Sequence, residues 1–178
     1  MAVGYKSHAI YVINEQPNSK MDSGGLFYST DDAKTWNKSI TAGLNEEPTA
    51  IAVHPTNEKM VVIGTKNGLF VSNDFGNHFK KVIPDLYITA LYFNEKGDLY
   101  IAGVNSSSLI KINVNTKEKQ EINIPALDND DAISYIAQNP TNEKEIVIAT
   151  FKKNVYLSSD SGENWTKIAD QGKGISQK

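Results

Sequence analysis

Ser158-Ser159-Asp160-Ser161-Gly162-Glu163-Asn164-Trp165, preceded by the apolar run Val155-Tyr156-Leu157, is the stretch on which the fold turns. It recurs twice in register. Ser72-Asn73-Asp74-Phe75-Gly76-Asn77-His78-Phe79 follows Leu69-Phe70-Val71, and Ser29-Thr30-Asp31-Asp32-Ala33-Lys34-Thr35-Trp36 follows Leu26-Phe27-Tyr28. The leading serines are 43 and 86 residues apart, one period and two. A second motif agrees: His54-Pro55-Thr56-Asn57-Glu58-Lys59 returns as Asn139-Pro140-Thr141-Asn142-Glu143-Lys144. Repeats of this length build solenoids, propellers or arrays.

Working outward, each period holds four short apolar runs separated by Pro, Asn, Gly and Asp. The second unit predicts strands over 49–53, 60–65, 69–73 and 78–82. The third predicts 88–93, 99–103, 109–113 and 119–124, and the fourth 133–138, 145–150, 155–159 and 165–169. The first unit is clipped, with residues 1–4 left for its first strand and 9–13 for its second. No amphipathic helix emerges. Four strands per period of about 43 residues is the unit of a propeller blade. The expectation is an all-β chain, a β-propeller of four-stranded antiparallel blades with about four blades here, forming part of a larger propeller. The blades are expected at about 1–41, 42–84, 85–126 and 127–170, as one propeller portion with a tail over 171–178.

Ser-x-Asp-x-Gly-x-x-Trp resembles the Asp-box, or BNR repeat, of sialidases, sortilin-type receptors and photosystem assembly propellers. Ser158, Asp160, Gly162 and Trp165 match it fully. The second copy keeps Ser72, Asp74 and Gly76 and has Phe79 for Trp; the first keeps Ser29, Asp31 and Trp36 but has Ala33 for Gly. The third unit, around 112–118, has lost the box. The roles expected are structural: Asp accepts N–H bonds across the turn, Gly supplies a positive φ, and the aromatic covers the hairpin. Ala33 should then carry strain, or its turn should take another form. Gly4 to Val12, Glu47 to Pro55 and Tyr135 to Pro140 resemble bacterial, mainly Bacillus-type, BNR-repeat proteins labelled glycosyl hydrolases. That resemblance spans essentially the whole chain. It implies an extracellular or cell-envelope location and the C-terminal part of a longer protein, although residues 1–5 show no signal peptide.

Composition narrows the function. The chain has 178 residues, a formal net charge of −3 and 18 basic residues, every one of them Lys. An acidic chain without Arg has no basic footprint, so nucleic acid is not an expected partner. Sialidases, as the resemblance implies, grip their substrate carboxylate with an arginine triad; this chain has no arginine to build one. The absence of Cys excludes disulfides and thiolate chemistry. No apolar window reaches the roughly 18 residues of a membrane span.

A glycosidase of another kind requires two carboxylates across a cleft. The loops expected at a propeller's ligand face contain Glu15, Asp22, Glu46, Glu47, Asp85, Asp128, Asp130 and Asp131. Glu46, Glu47, Asp130 and Asp131 are the candidate catalytic carboxylates, with solvated loop charge as the plainer reading. Asp128-Asn129-Asp130-Asp131 lacks the spacing of an EF-hand loop, and His8, His54 and His78 are scattered, so no metal or cofactor is expected. Ser106-Ser107-Ser108 reads as a plain loop. Tyr5, Tyr87 and Phe151 lie in or beside loops, and Tyr87 and Phe151 are the ligand-binding candidates, able to stack on a sugar or anchor a protein. Expected partners are therefore a glycan or a protein, together with self-association through open propeller edges. The favoured function is a non-catalytic binding or scaffold propeller; the alternative is a glycoside hydrolase using an acidic pair.

Overall fold

The computed structural model describes residues 1–4, 6–14, 24–114 and 116–176. Tyr5, Glu15 and Asp22 lie outside them. Seventeen strands form four antiparallel sheets, and no helix is present among the described residues. The first sheet runs β1 (Ala2–Gly4), β2 (Ala9–Asn14), β3 (Gly25–Ser29) and β4 (Asn37–Lys38). The second holds β5 (Pro48–Val53), β6 (Val61–Thr65), β7 (Gly68–Ser72) and β8 (Lys80–Pro84). The third holds β9 (Ile88–Phe93), β10 (Asp98–Gly103), β11 (Ser108–Asn113) and β12 (Lys119–Asn123). The fourth holds β13 (Ile133–Asn139), β14 (Asn142–Thr150), β15 (Val155–Ser158), β16 (Thr166–Asp170) and a short fifth strand, β17 (Lys173–Gly174). In every sheet the spatial order follows the chain order, so each is a simple up-and-down meander, the blade of a β-propeller.

The chain divides into two compact units, residues 1–86 and 87–178. Each contains two blades and its own core. The first is built on Tyr11, Leu26, Val53, Val61, Ile63, Phe70 and Phe79; the second on Tyr100, Leu109, Ile122, Ile133, Ile136, Ile146, Ile148 and Tyr156. The second strands, β6 and β10, are buried at every position. Apolar runs without polar alternation therefore mark strands covered on both faces. The outer strands β4 and β12 are mostly Lys, Asn, Gln and Glu and face solvent.

Three lysines finish the outer strands of their blades. Lys38, Lys81 and Lys167 occupy the same outer-strand position and lie 5.6, 5.1 and 5.6 Å from the ring centres of Phe27, Phe70 and Tyr156. Each ammonium gains from the ring quadrupole while its stem covers the sheet.

The turn between the first two strands also repeats. In the second blade His54 accepts the amides of Thr56 and Asn57 on Nδ1, at 3.3 and 3.1 Å. In the third, Asn94 Oδ1 accepts the amides of Lys96 and Asp98; in the fourth, Asn139 Oδ1 accepts that of Thr141. His54 thus does the work of an Asx turn. Burial pushes its pKa down, which favours the neutral ring whose Nδ1 accepts these amides.

Candidate functional site

The recurrent Ser-x-Asp turns fold alike. Ser29, Ser72 and Ser158 are all buried, and each donates its hydroxyl to the Asp two residues on, at 2.8 Å. The same oxygen accepts the amide four residues on, from Ala33, Gly76 and Gly162 at 3.0, 2.9 and 2.8 Å. Asp31, Asp74 and Asp160 then accept the amides of Thr35, His78 and Asn164 on Oδ1, at 2.9, 2.9 and 2.8 Å. The side chains of those three residues close onto Oδ2 at 2.6, 2.6 and 2.7 Å. Ala33 has φ 64°, beside 78° and 92° at Gly76 and Gly162, so the first turn keeps the common form and carries the strain of an L-residue in the left-handed region. The amides and side chains of Thr35, His78 and Asn164 hold all three aspartates below the usual carboxylate range, Asp31 and Asp74 at about 2. These groups stay ionised to bind the turn and donate no proton.

The turns also fasten one blade to the one before it, within each unit. In the first unit the Ser39 hydroxyl donates to the Phe75 carbonyl at 2.6 Å, and the Phe79 amide to the Ala42 carbonyl at 2.7 Å. Tyr28 stacks between Tyr11 and Phe75, with ring centres 5.8 and 4.8 Å away. In the second unit the Trp165 indole N–H donates to the Asn123 carbonyl at 2.9 Å. The third blade closes differently. Asn113 accepts the Thr116 amide on Oδ1 and the Lys117 amide on its carbonyl.

Among the described residues, two cavities lie at loops and contain candidate carboxylates. One, of about 630 Å³, is in the second unit between the β10–β11 loop (Asn105, Ser106, Ser107) and the β12–β13 loop (Leu127 to Ala132). Asp128, Asp130 and Asp131 all line it. Asp131 is anchored: Oδ1 accepts the amides of Ala132 and Lys152 at 2.9 and 3.0 Å. Burial alone would raise its pKa, but those two amides, with the neighbouring Thr150 side chain and the Lys152 charge, outweigh it and hold the carboxyl low, while Oδ2 is buried with no hydrogen-bond partner among the described residues. Asp128 Oδ2 accepts from the buried Asn154 side chain at 3.2 Å. Asp130 is exposed, at φ 57°.

Phe151 and Tyr87 belong to this same loop end. The Phe151 amide donates to the Ala132 carbonyl at 3.0 Å, and the Lys152 ammonium to the Asn129 carbonyl, so the 151–153 turn is tied to the acidic loop. Tyr87 precedes β9, and its carbonyl accepts the Val104 amide. Phe151 is 63 % exposed and Tyr87 41 %. Sequence reasoning missed Asn105, Ser106 and Ser107 as lining residues, although an unbroken polar run between the second and third strands was a usable signal. It also missed Tyr135, 61 % exposed on β13, the first strand of its sheet, which alternation from the buried Ile133 would have turned inward.

The other cavity, of about 560 Å³, is in the first unit and is lined by Ile13, Leu26, Leu44, Glu46, Glu47 and Ile63 among others. Glu46 is committed to structure there. Oε1 accepts the Lys81 ammonium at 2.7 Å and Oε2 the Thr65 hydroxyl at 2.6 Å, and these bonds lower its pKa. Glu47 is exposed. Glu46 and Glu47 lie in one unit and Asp130 and Asp131 in the other. Among the described residues no group of three His, Cys, Asp or Glu is placed to hold a metal, and no helix is long and apolar enough to cross a membrane.

No protein-family model matches the sequence, and no curated protein does. Solved structures match the fold. The extracellular domain of the putative one-component system BT4673 from B. thetaiotaomicron superposes with TM-score 0.64 at 15 % identity, over 98 % of this chain and 23 % of that one. An ancestral GH74 enzyme gives TM-score 0.63 at 20 % identity, over 82 % and 21 %. YCF48 from Cyanidioschyzon merolae gives 0.58 at 14 %, over 93 % and 55 %. The chain thus spans about a fifth of the first two and about half of the third, and at these identities the likeness is one of fold.

Proposed function

We propose that the chain is a portion of an Asp-box, or BNR-repeat, propeller of a bacterial envelope or secreted protein, with blades at about 1–41, 42–84, 85–126 and 127–170, and that it binds a glycan or protein without catalysis. The non-catalytic part is supported by the engagement of two candidate carboxylates in hydrogen bonds, Glu46 with Lys81 and Thr65 and Asp131 with the Ala132 and Lys152 amides, which holds both low and argues against either as a general acid. A glycosidase acid requires the opposite shift, a carboxyl kept protonated near neutral pH. The 630 Å³ cavity supports the binding part. Its wall of Ser, Asn and Asp side chains offers donors and acceptors to hydroxyl groups, and Phe151 stands exposed on a turn tied to that wall. Tyr87, on the same loop end, is the second aromatic of the reading.

Calorimetric titration of soluble polysaccharides and peptidoglycan fragments into the chain tests this. Phe151→Ala should weaken binding about tenfold or more at unchanged melting temperature. Binding indifferent to both Phe151→Ala and Tyr87→Ala would move the site elsewhere. Sugar release that disappears in Asp131→Asn or Glu46→Gln would make the protein a glycoside hydrolase.

A further inference from the structure

Of the three histidines, His8 and His78 are exposed, whereas His54 is only 7 % exposed and lines neither cavity described above. Its Nδ1 accepts two backbone amides, and a ring nitrogen accepts only while it carries no proton. A proton there sets one donor against two others and puts a charge in a buried site. The Thr56 hydroxyl stands 3.4 Å from Nδ1, too far for a compensating bond of full strength. The third and fourth blades escape this conflict, because the neutral side-chain oxygens of Asn94 and Asn139 fill the same place.

The turn that His54 holds also holds the first blade. The Pro55 carbonyl accepts the Lys6 and Ser7 amides at 3.2 and 2.7 Å, and the Glu58 carbonyl accepts the Tyr11 hydroxyl at 2.6 Å. Gly4 packs so closely that an added Cβ would stand 2.8 Å from the His54 carbonyl oxygen. We propose that His54 is an acid-sensitive latch: a proton taken up at Nδ1 opens the 54–60 turn and loosens the β1–β2 turn of the first blade from the second. Burial sets the direction. Below about pH 6.5 an unfolded histidine binds a proton that the folded ring, its pKa pushed down, refuses, so the fold loses stability as pH falls. The charged groups around the latch are Glu58 and Lys59 on its own turn and Lys6 and His8 on the turn of the first blade. Asp74 and His78 belong to the β7–β8 turn, which the Phe75 amide ties to the Lys59 carbonyl. His8 and His78 lie 3.6 and 2.6 Å from Asp32 and Asp74, so their charging does not oppose folding.

Urea unfolding of the first unit within the full chain, repeated from about pH 7.5 down to about pH 5, tests the latch. Below about pH 6.5 the unfolding equilibrium constant of the wild type should rise by up to about tenfold per pH unit more than that of His54→Asn, which restores the acceptor of the other blades. Parallel pH dependence in the two proteins would overturn the proposal. Amide exchange, corrected for its intrinsic pH dependence, reads the latch in the wild type alone. Protection at Ser7, Thr56 and Asn57 should fall about fivefold or more across the same range, while Lys96 and Asp98, held by Asn94, keep theirs. Equal loss at the two turns, or loss at neither, would overturn it. The latch is independent of whether the loop-end cavity of the second unit binds a glycan.

Discussion

Gly162 lies flat against Ile122, so close that a methyl group on its Cα would stand 2.1 Å from Ile122 Cγ2. Its φ of 92° is also one that L-residues resist. Both constraints act together in Gly162→Ala, which should cost at least about 2 kcal/mol. Urea unfolding of the second unit's core checks this, with intact near-wild-type stability as the contrary result.

Ala33 offers the reverse case. It already pays for a left-handed conformation, and it is exposed. Ala33→Gly should raise stability by about 0.5–1 kcal/mol. A lower unfolding midpoint would mean that the first turn differs from its two counterparts.

Ser158 is buried and binds Asp160 and the Gly162 amide at once. Ser158→Ala removes one acceptor and one donor while leaving a buried N–H without its partner, a loss of about 1–3 kcal/mol. Amide exchange at Gly162 should accelerate in the variant, whereas unchanged protection would show that another group holds the turn.

Much of this was legible in the sequence. The recurrence of the Ser-x-Asp turns and most strand positions follow from the 43-residue period, because the chain must re-create one blade geometry with each pass. The first strand, β1, is as short as the sequence implied. The sites were less legible. Glu46 reads as one loop acid among several until folding brings Lys81, 35 residues away, onto its Oε1. Asp131 likewise gains one of its two amide partners from Lys152, across the β13–β14 hairpin. Such partners are set by which loops meet at one end of a blade, and no local spacing encodes that. Asn113 marks another limit: a lost motif says nothing of the turn that replaces it.

Acid should weaken the fold by a route the turns define. In the folded chain Asp31 and Asp74 titrate at about 2, against about 3.9 for an unfolded Asp. Depressed carboxyls contribute stability that is fully present above the unfolded value and lost as pH falls through the folded one. The melting temperature should therefore decline between about pH 4 and pH 2, and less steeply in the double variant Asp31→Asn/Asp74→Asn. Equal slopes in the two proteins would place the acid-sensitive groups elsewhere.

The central claim, binding without catalysis, is tested most directly by the release of reducing ends from a panel of soluble and insoluble polysaccharides by the wild-type chain. The account predicts no release above that of Asp131→Asn and Glu46→Gln under the same conditions. Release by the wild type that either substitution abolishes would contradict it, and would identify that carboxylate as a member of a catalytic pair.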